Sequence, residues 1–304
     1  MADDVLVSVE GQRIKLSNLD KVLYPNGFSK AEVINFYSRI APLALPHLMN
    51  RPVTLRRYPD GVHGLSFYEK NAARHAPEWV RTVSVETPGS TTGAETLDFA
   101  VIDNLPTLVW AANMAALELH IPQWTVGPRG GRHNPDLLVF DLDPGEPATI
   151  VECCRVAELL REELTADGLT PVAKTSGSKG MQLYCAITTT SPDHPSAYAK
   201  SLAERLARAE PDLIVAKMAK NLRPHKVFID WSQNNQYKTT VAPYSLRARD
   251  LPTVSTPITW SEVESCRDAD DLVFTADDVL DRAESVGDLF EPLLVKKRPN
   301  LPRG

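Results

Sequence analysis

Leu137-Leu138-Val139-Phe140-Asp141-Leu142-Asp143-Pro144-Gly145 runs from four apolar residues straight into two acids and a turn dipeptide. A short apolar run of this kind marks a strand covered on both faces. Residues two apart in a strand face the same side. Asp141 and Asp143 are therefore expected to project two carboxylates together, just ahead of the Pro-Gly turn. Carboxylates this close repel, and one titrates high unless a cation neutralises the pair. A hard divalent metal with oxygen ligands does that. Two such metals can activate a hydroxyl and stabilise a leaving pyrophosphate. The same residues also fit a plain strand-ending turn, and the Asp-x-Asp spacing alone does not choose.

Working outward, a third acid closes an apolar run in Val227-Phe228-Ile229-Asp230-Trp231-Ser232-Gln233-Asn234. It lies within residues 216–249, which hold seven bases (Lys217, Lys220, Arg223, Lys226, Lys238, Arg247 and Arg249) and Asp230 as the one acid. One acid in a basic stretch suggests an anion-binding groove with a purpose for that acid, although a solvated basic face fits too. Three carboxylates from two strands beside Lys and Arg suit phosphoryl transfer better than any one of them. A third element is Thr175-Ser176-Gly177-Ser178-Lys179-Gly180. Its small residues let backbone N–H groups approach an anion, but it lacks P-loop spacing and also reads as a hairpin turn. His120, in Leu117-Glu118-Leu119-His120-Ile121-Pro122-Gln123-Trp124, reads as a packed core histidine or as a donor to a triphosphate oxygen.

The chain has 304 residues and a net charge of -6. The charge first argues against a nucleic-acid partner. Its distribution reverses that inference. Residues 250–304 carry twelve acids against six bases, so residues 1–249 are balanced. Hydrophobic content of 43% fits a globular protein and excludes a disordered or collagen-like chain. No apolar run is long enough to span a bilayer, and the acidic start lacks a secretory signal. A cytoplasmic protein with no membrane partner is expected. Cys153, Cys154, Cys185 and Cys266 lack zinc-site spacing and read as reduced thiols in or near the core.

Strands are expected at Val5–Val9, Pro52–Arg57, Leu97–Ile102, Leu137–Phe140, Pro171–Lys174, Met181–Ile187 and Lys226–Asp230. Ser29 with Glu32 forms a capping box opening a helix. Further helices are expected at Leu105–Leu117, Ala148–Ala166, His194–Ala209 and Ala276–Val286, and a loop at Pro88–Glu95. No repeat or linker divides the chain. One elaborated α+β domain over residues 1–304 is expected, its acidic segment 250–304 included.

Six ordered motifs resemble the polymerase domain of bacterial ligase D, in the archaeo-eukaryotic primase superfamily. They are Asp20-Lys21-Val22-Leu23-Tyr24-Pro25, Leu119 through Trp124, Val139 through Gly145, Thr175 through Gly180, Asp230 through Asn234, and Ala242-Pro243-Tyr244-Ser245-Leu246-Arg247. The resemblance implies a primase-type core of mixed and antiparallel sheets packed by helices. It implies that Asp141, Asp143 and Asp230 are catalytic and bind a Mn²⁺ or Mg²⁺ pair. It implies nucleotide contacts from His120, Ser176, Lys179, Gln233, Arg247 and Arg56. Lys21 and Lys30, supported by Asn18, would grip a 5′-phosphate across a DNA gap. Phe67 and Tyr68 would stack on template and base, with Arg57, Arg223 and Lys238 as further DNA contacts. The expected reaction adds nucleoside triphosphates, ribonucleotides preferred, to primer 3′-hydroxyls at gaps or breaks in DNA repair. Gapped or broken DNA, NTP or dNTP, an ATP-dependent ligase and a Ku-type end binder are the implied partners. Ligase D polymerase domains are commonly fused to a ligase and a nuclease, for which this chain has no room; an excised domain or a stand-alone relative is expected. A two-metal nuclease and an idle DNA-end-binding module are the rival readings.

Overall fold

The computed structural model of the chain describes residues 4–72, 76–87 and 95–302. The loop expected at Pro88–Glu95 lies, except for Glu95, outside the described residues. In chain order the strands are β1 (Val5–Val9), β2 (Gln12–Leu16), β3 (Pro52–Arg57), β4 (Phe67–Glu69), β5 (Thr82–Glu86), β6 (Thr96–Val101), β7 (Ala116–Ile121), β8 (Trp124–Val126), β9 (Arg132–Pro135), β10 (Leu137–Pro144), β11 (Val172–Thr175), β12 (Met181–Ala186), β13 (Ile214–Val215), β14 (Val227–Asp230), β15 (Thr240–Val241) and β16 (Pro257–Ile258). The helices are α1 (Lys30–Leu48), α2 (Leu105–Asn113), α3 (Ile150–Ala166), α4 (His194–Ala209), α5 (Trp260–Ser265) and α6 (Ala276–Val286). No helix among the described residues is long and apolar enough to cross a membrane.

The chain divides into two compact units that interleave in sequence. Unit 1 comprises Met1–Arg132, Val241–Val254 and Thr275–Gly287; unit 2 comprises His133–Thr240, Ser255–Phe274 and Asp288–Gly304. The acidic segment 250–304 is thus shared between them.

Unit 2 is built on a six-stranded sheet of order β13-β14-β10-β12-β11-β16, antiparallel except where β13 meets β14. The quoted stretch is one of its inner strands, and its two faces differ. Leu138, Phe140 and Leu142 enter a core with Val156, Ala157 and Leu160 of α3 and Ala199, Leu202 and Ala203 of α4. The opposite face carries Leu137 and Val139, covered by Tyr184, Phe290 and Leu293, and then Asp141 and Asp143. It changes from apolar to acidic halfway along the strand. Helix α3 starts at Thr149, whose N–H and hydroxyl donate to Glu152 at 2.7 and 3.1 Å, a capping box that fixes its entry.

Two glycines bring other backbone against β10. A Cβ on Gly180 would lie 2.0 Å from Leu142 O, and one on Gly145 would lie 2.0 Å from Arg223 O. Neither approach tolerates a side chain, because the obstacle is backbone. Gly180→Ala is expected to cost at least about 2 kcal/mol by overpacking, read as a lower urea midpoint with an unaltered slope.

Unit 1 holds the sheet path β7-β3-β6-β5, with β4 also paired to β3, and the β1-β2 hairpin. The segment from Val241 flanks β7, Ala242 N–H donating to Leu119 O at 2.8 Å. Ser29 caps α1 through the expected box: its N–H and hydroxyl donate to Glu32 at 2.6 and 2.7 Å.

The helix expected through Leu117 stops at Asn113. Ala115 turns the chain with φ 56, and Ala116–Ile121 pairs with β3 as a strand. The apolar run hid the change of period, from a buried helix to alternating Leu117, Leu119 and Ile121.

Candidate functional site

In unit 2, strand register lays four polar residues in one row across the sheet. Asp230 pairs with Asp141, Asp141 with Gln182, and Gln182 with Lys174. Asp143 stands two residues further along β10, on the face of Asp141. Gln182 Nε2 donates to Asp141 Oδ1 at 2.9 Å, and Tyr184 OH donates to Gln182 Oε1 at 3.0 Å. Lys174 is fully buried, its ammonium on Ser255 Oγ and 5.7 Å from the Tyr184 ring centroid. Asp230 accepts at Oδ1 from Ser232 N (3.0 Å) and the Ser232 hydroxyl, and at Oδ2 from Gln233 Nε2 (2.9 Å). Lys238 Nζ is 4.0 Å from Asp230 Oδ2 and also donates to Ser232 Oγ.

Burial pushes the Asp141 carboxyl above its ordinary range, and Asp143 and Asp230 push the same way. Asp143 is raised too, by burial and then by Asp230. This donor set suits a hard dication, because a positive ion relieves both burial and repulsion. Among the described residues no three acid, imidazole or thiol groups converge on one ion position with the side chains as they stand. Asp141 is turned instead to Gln182, and Asp230 to Ser232 and Gln233.

Ser176–Gly180 is the β11–β12 hairpin. Ser176 N–H donates to Gly180 O at 2.8 Å, and Ser176 Oγ accepts from the N–H groups of Ser178 and Gly180, each at 3.3 Å. The turn is thus both a hairpin and a loop of small residues; Lys179 Nζ lies on Glu146 Oε1 at 2.6 Å in solvent. Arg223 sits over the Phe228 ring at 3.8 Å and lowers Asp143 electrostatically. Cys153, Cys154, Cys185 and Cys266 are buried and unbridged.

In unit 1, a second set of predicted residues meets around a residue to which sequence reading assigned no role. Glu118 is buried on β7, with Oε1 3.2 Å from Arg247 Nε and 3.1 Å from the donating Ala248 N–H. Its Oε2 lies 2.9 Å from His120 Nε2 and 3.4 Å from Arg56 Nη1. Burial alone would raise this carboxyl, but the His120 hydrogen bond and the charge of Arg247 hold it well below the usual carboxylate range. Arg56 is the cross-strand partner of Glu118 and also of Tyr68, over whose ring it lies at 5.2 Å. Arg57 pairs likewise with Phe67 at 5.1 Å and donates to Glu69 Oε2 at 2.7 Å. Strand alternation sends Phe67 and Tyr68 to opposite faces of β4. Both are exposed, Phe67 at 44% and Tyr68 at 57%, so neither is a core residue.

Asn18 takes a left-handed turn (φ 52), and its carbonyl accepts from Lys21 N–H at 3.1 Å. Asn tolerates that conformation better than most residues. Lys30 N–H donates to Lys21 O at 2.8 Å, fastening the start of α1 to this loop. The Lys30 side chain is buried, with Nζ on Ser17 O at 2.6 Å; Lys21 Nζ pairs with Asp60 in solvent at 2.8 Å.

Residues 29–290 match the family model described as LigD, primase-polymerase domain. The chain is 43% identical over 284 residues to the multifunctional non-homologous end joining protein LigD of Mycolicibacterium smegmatis, covering 93% of this chain and 36% of that protein. It is 31% identical to the bifunctional non-homologous end joining protein LigD of Bacillus subtilis, covering 90% of this chain and 43% of that one. The chain belongs to the LigD primase-polymerase family. Its fold is similar to the polymerase domain from Mycobacterium tuberculosis ligase D in complex with DNA, with TM-score 0.87 and 40% identity over 94% of this chain and 99% of that domain. The expected α+β fold of antiparallel and mixed sheets is the one observed, and by family this is a LigD-type primase-polymerase domain. It spans less than half the length of these curated relatives.

Sequence reading passed over Glu118, Gln182, Lys174 and Tyr184. A signal existed for the first three. Glu118 is two residues before His120, hence on its strand face. Pairing Thr175 with Met181 across the hairpin sets Lys174 opposite Gln182.

Proposed function

We propose that this chain is a template-directed nucleotidyltransferase adding nucleoside triphosphates, with ribonucleotides preferred, to primer 3′-hydroxyls at DNA gaps and breaks. The carrying observation is the pairing of Asp230 with Asp141 beside Asp143 at the polar end of an otherwise apolar sheet. Asp141, Asp143 and Asp230 would hold Mn²⁺ or Mg²⁺, exchanging the Gln182, Ser232 and Gln233 hydrogen bonds for it. The chemistry such ions supply is activation of the 3′-hydroxyl and neutralisation of the leaving pyrophosphate. The protein's own groups bind and orient. Ser176, Lys179, Gln233, His120, Arg247 and Arg56 are the proposed nucleotide contacts. Exposed Phe67 and Tyr68 offer stacking faces that accept any base. Lys21, Lys30 and Asn18 form the proposed 5′-phosphate pocket, and Arg57, Arg223 and Lys238 add DNA contacts.

The pathway proposed is end joining or gap filling, alongside an ATP-dependent ligase and a Ku-type end binder. The named relatives are end-joining proteins, which supports this reading. The test is gapped, 5′-phosphorylated DNA with Mn²⁺ and NTPs. Extension of the primer supports the polymerase; shortening would establish a nuclease; binding without either would establish an end-binding module. Affinity should fall steeply with salt, because phosphate contacts dominate it.

A further inference from the structure

Glu118 and His120 stand two residues apart on β7 and share a face. The Glu118 carboxylate only accepts hydrogen bonds. His120 Nε2, 2.9 Å from Oε2, must therefore carry a hydrogen. In the neutral ring that leaves Nδ1 as a bare lone pair. Among the described residues Nδ1 has no hydrogen-bond partner, and the side chain is 13% exposed. A fully ionised triphosphate oxygen is also an acceptor. Two acceptors cannot bond, so the neutral ring cannot hold the nucleotide; the imidazolium can, through Nδ1–H.

We infer that Glu118 is a positioning residue that fixes His120 in the Nε2–H form, so that nucleoside triphosphate binds there with uptake of one proton. The inference rests on the triphosphate role proposed above for His120. The step balances simply. A solvent proton forms the Nδ1–H bond, Nε2–H stays on Glu118, and no bond of the nucleotide breaks. The same carboxylate also steadies Arg247 and Arg56, so its loss loosens three cations together.

The charged and titratable groups facing the ring are Glu118 on β7, Arg56 from β3, Arg247 from the segment after β15, and Tyr68 of β4, edge-on at 5.7 Å. In the free protein, burial lowers the ring's pKa and the Arg247 and Arg56 charges add to that, against the opposing pull of Glu118. A triphosphate brings negative charge to Nδ1 and reverses the balance. Affinity is therefore full below the free ring's pKa and is lost as pH rises from there through the bound-state pKa, the range in which binding takes up the proton.

The test is calorimetric titration of the full chain with ATP and Mg²⁺ at pH 8, repeated in buffers of different ionisation enthalpy. The buffer dependence of the heat counts protons. The expected result is uptake approaching one proton in the wild type and near zero in His120→Asn, whose amide donates without protonation. Glu118→Gln is expected to raise the KM for nucleotide about tenfold, more than it lowers kcat, and to reduce the uptake. Binding without uptake in the wild type, or equal uptake in His120→Asn, overturns the inference alone. Absence of nucleotide binding overturns the proposed function and this inference with it. If Glu118→Gln does not fold, the comparison of wild type with His120→Asn still decides.

Discussion

Asp141→Asn is expected to abolish primer extension, by at least about a thousandfold, while raising the thermal stability of the metal-free protein. Both effects come from one cause. Asp141 is buried on an inner strand beside Asp143 and opposite Asp230. Burial and then the Asp143 charge hold its carboxyl above the ordinary range. A group whose folded pKa is raised contributes stability at low pH and loses it as pH rises through the folded value. The unfolded chain releases that proton near pH 4. The metal-free wild type should thus melt lower at pH 8 than at pH 5, and Mn²⁺ should restore the loss at pH 8. The asparagine keeps an oxygen for Gln182 Nε2 but carries no charge. It should melt roughly 2–4 °C above the wild type at pH 8, with a smaller response to Mn²⁺. Scanning calorimetry in chelator and then in Mn²⁺ reads all of this. DNA binding should persist, since phosphate contacts supply most of it. Full extension by the variant would remove Asp141 from the metal site; a lower melting point at pH 8 would refute the repulsion argument.

The trade is familiar for functional sites, which hold charges together at a cost in stability that bound ligands offset. Here it also explains what could be read from sequence. The strand Leu137–Phe140 was legible because an inner strand must be apolar on both faces, and the two acids stood out by breaking that rule. Helices α4 and α6 and strand β3 were legible to the residue, from periodicity and turn chemistry alone. The errors cluster where an apolar run has no period to read. The segment from Leu105 through Leu117 is apolar in both its helix and its strand, so the boundary at Asn113 was invisible. That miss hid Glu118, because a reader who places Leu117 in a helix does not set Glu118 and His120 on one strand face. Strand β4 was missed for a different reason. It has three residues, and pairing with β3 rather than propensity makes it a strand. Residue type hid Lys174 as a buried cation, since lysine alone predicts solvent. Only the register of the hairpin places it there.

Removing Lys21 and Lys30 together should erase any preference for a 5′-phosphate at the far side of a gap, and the single changes should act differently from one another. Lys30 is buried and bonded to Ser17 O, and its pKa is pushed down to about 8 by burial, then by the neighbouring Lys21 and Arg57 charges. Three cations in one place, one of them desolvated, form a site that a doubly charged phosphate would relieve. In the wild type, the preference for phosphorylated over hydroxyl-ended gaps should be full below about pH 8 and decline above it as Lys30 loses its proton. Lys21→Ala removes a contact worth about tenfold. It also removes a like charge, so the remaining pH dependence should shift upward. Lys30→Met should remove the pH dependence itself while leaving Lys21 to bind weakly. Competition binding of paired gapped substrates between pH 6.5 and 9.5 distinguishes these cases. A preference that survives the double change would place the phosphate pocket elsewhere. A wild-type preference flat across this range would show that Lys30 does not touch the phosphate, since a lysine depressed this far cannot stay charged throughout.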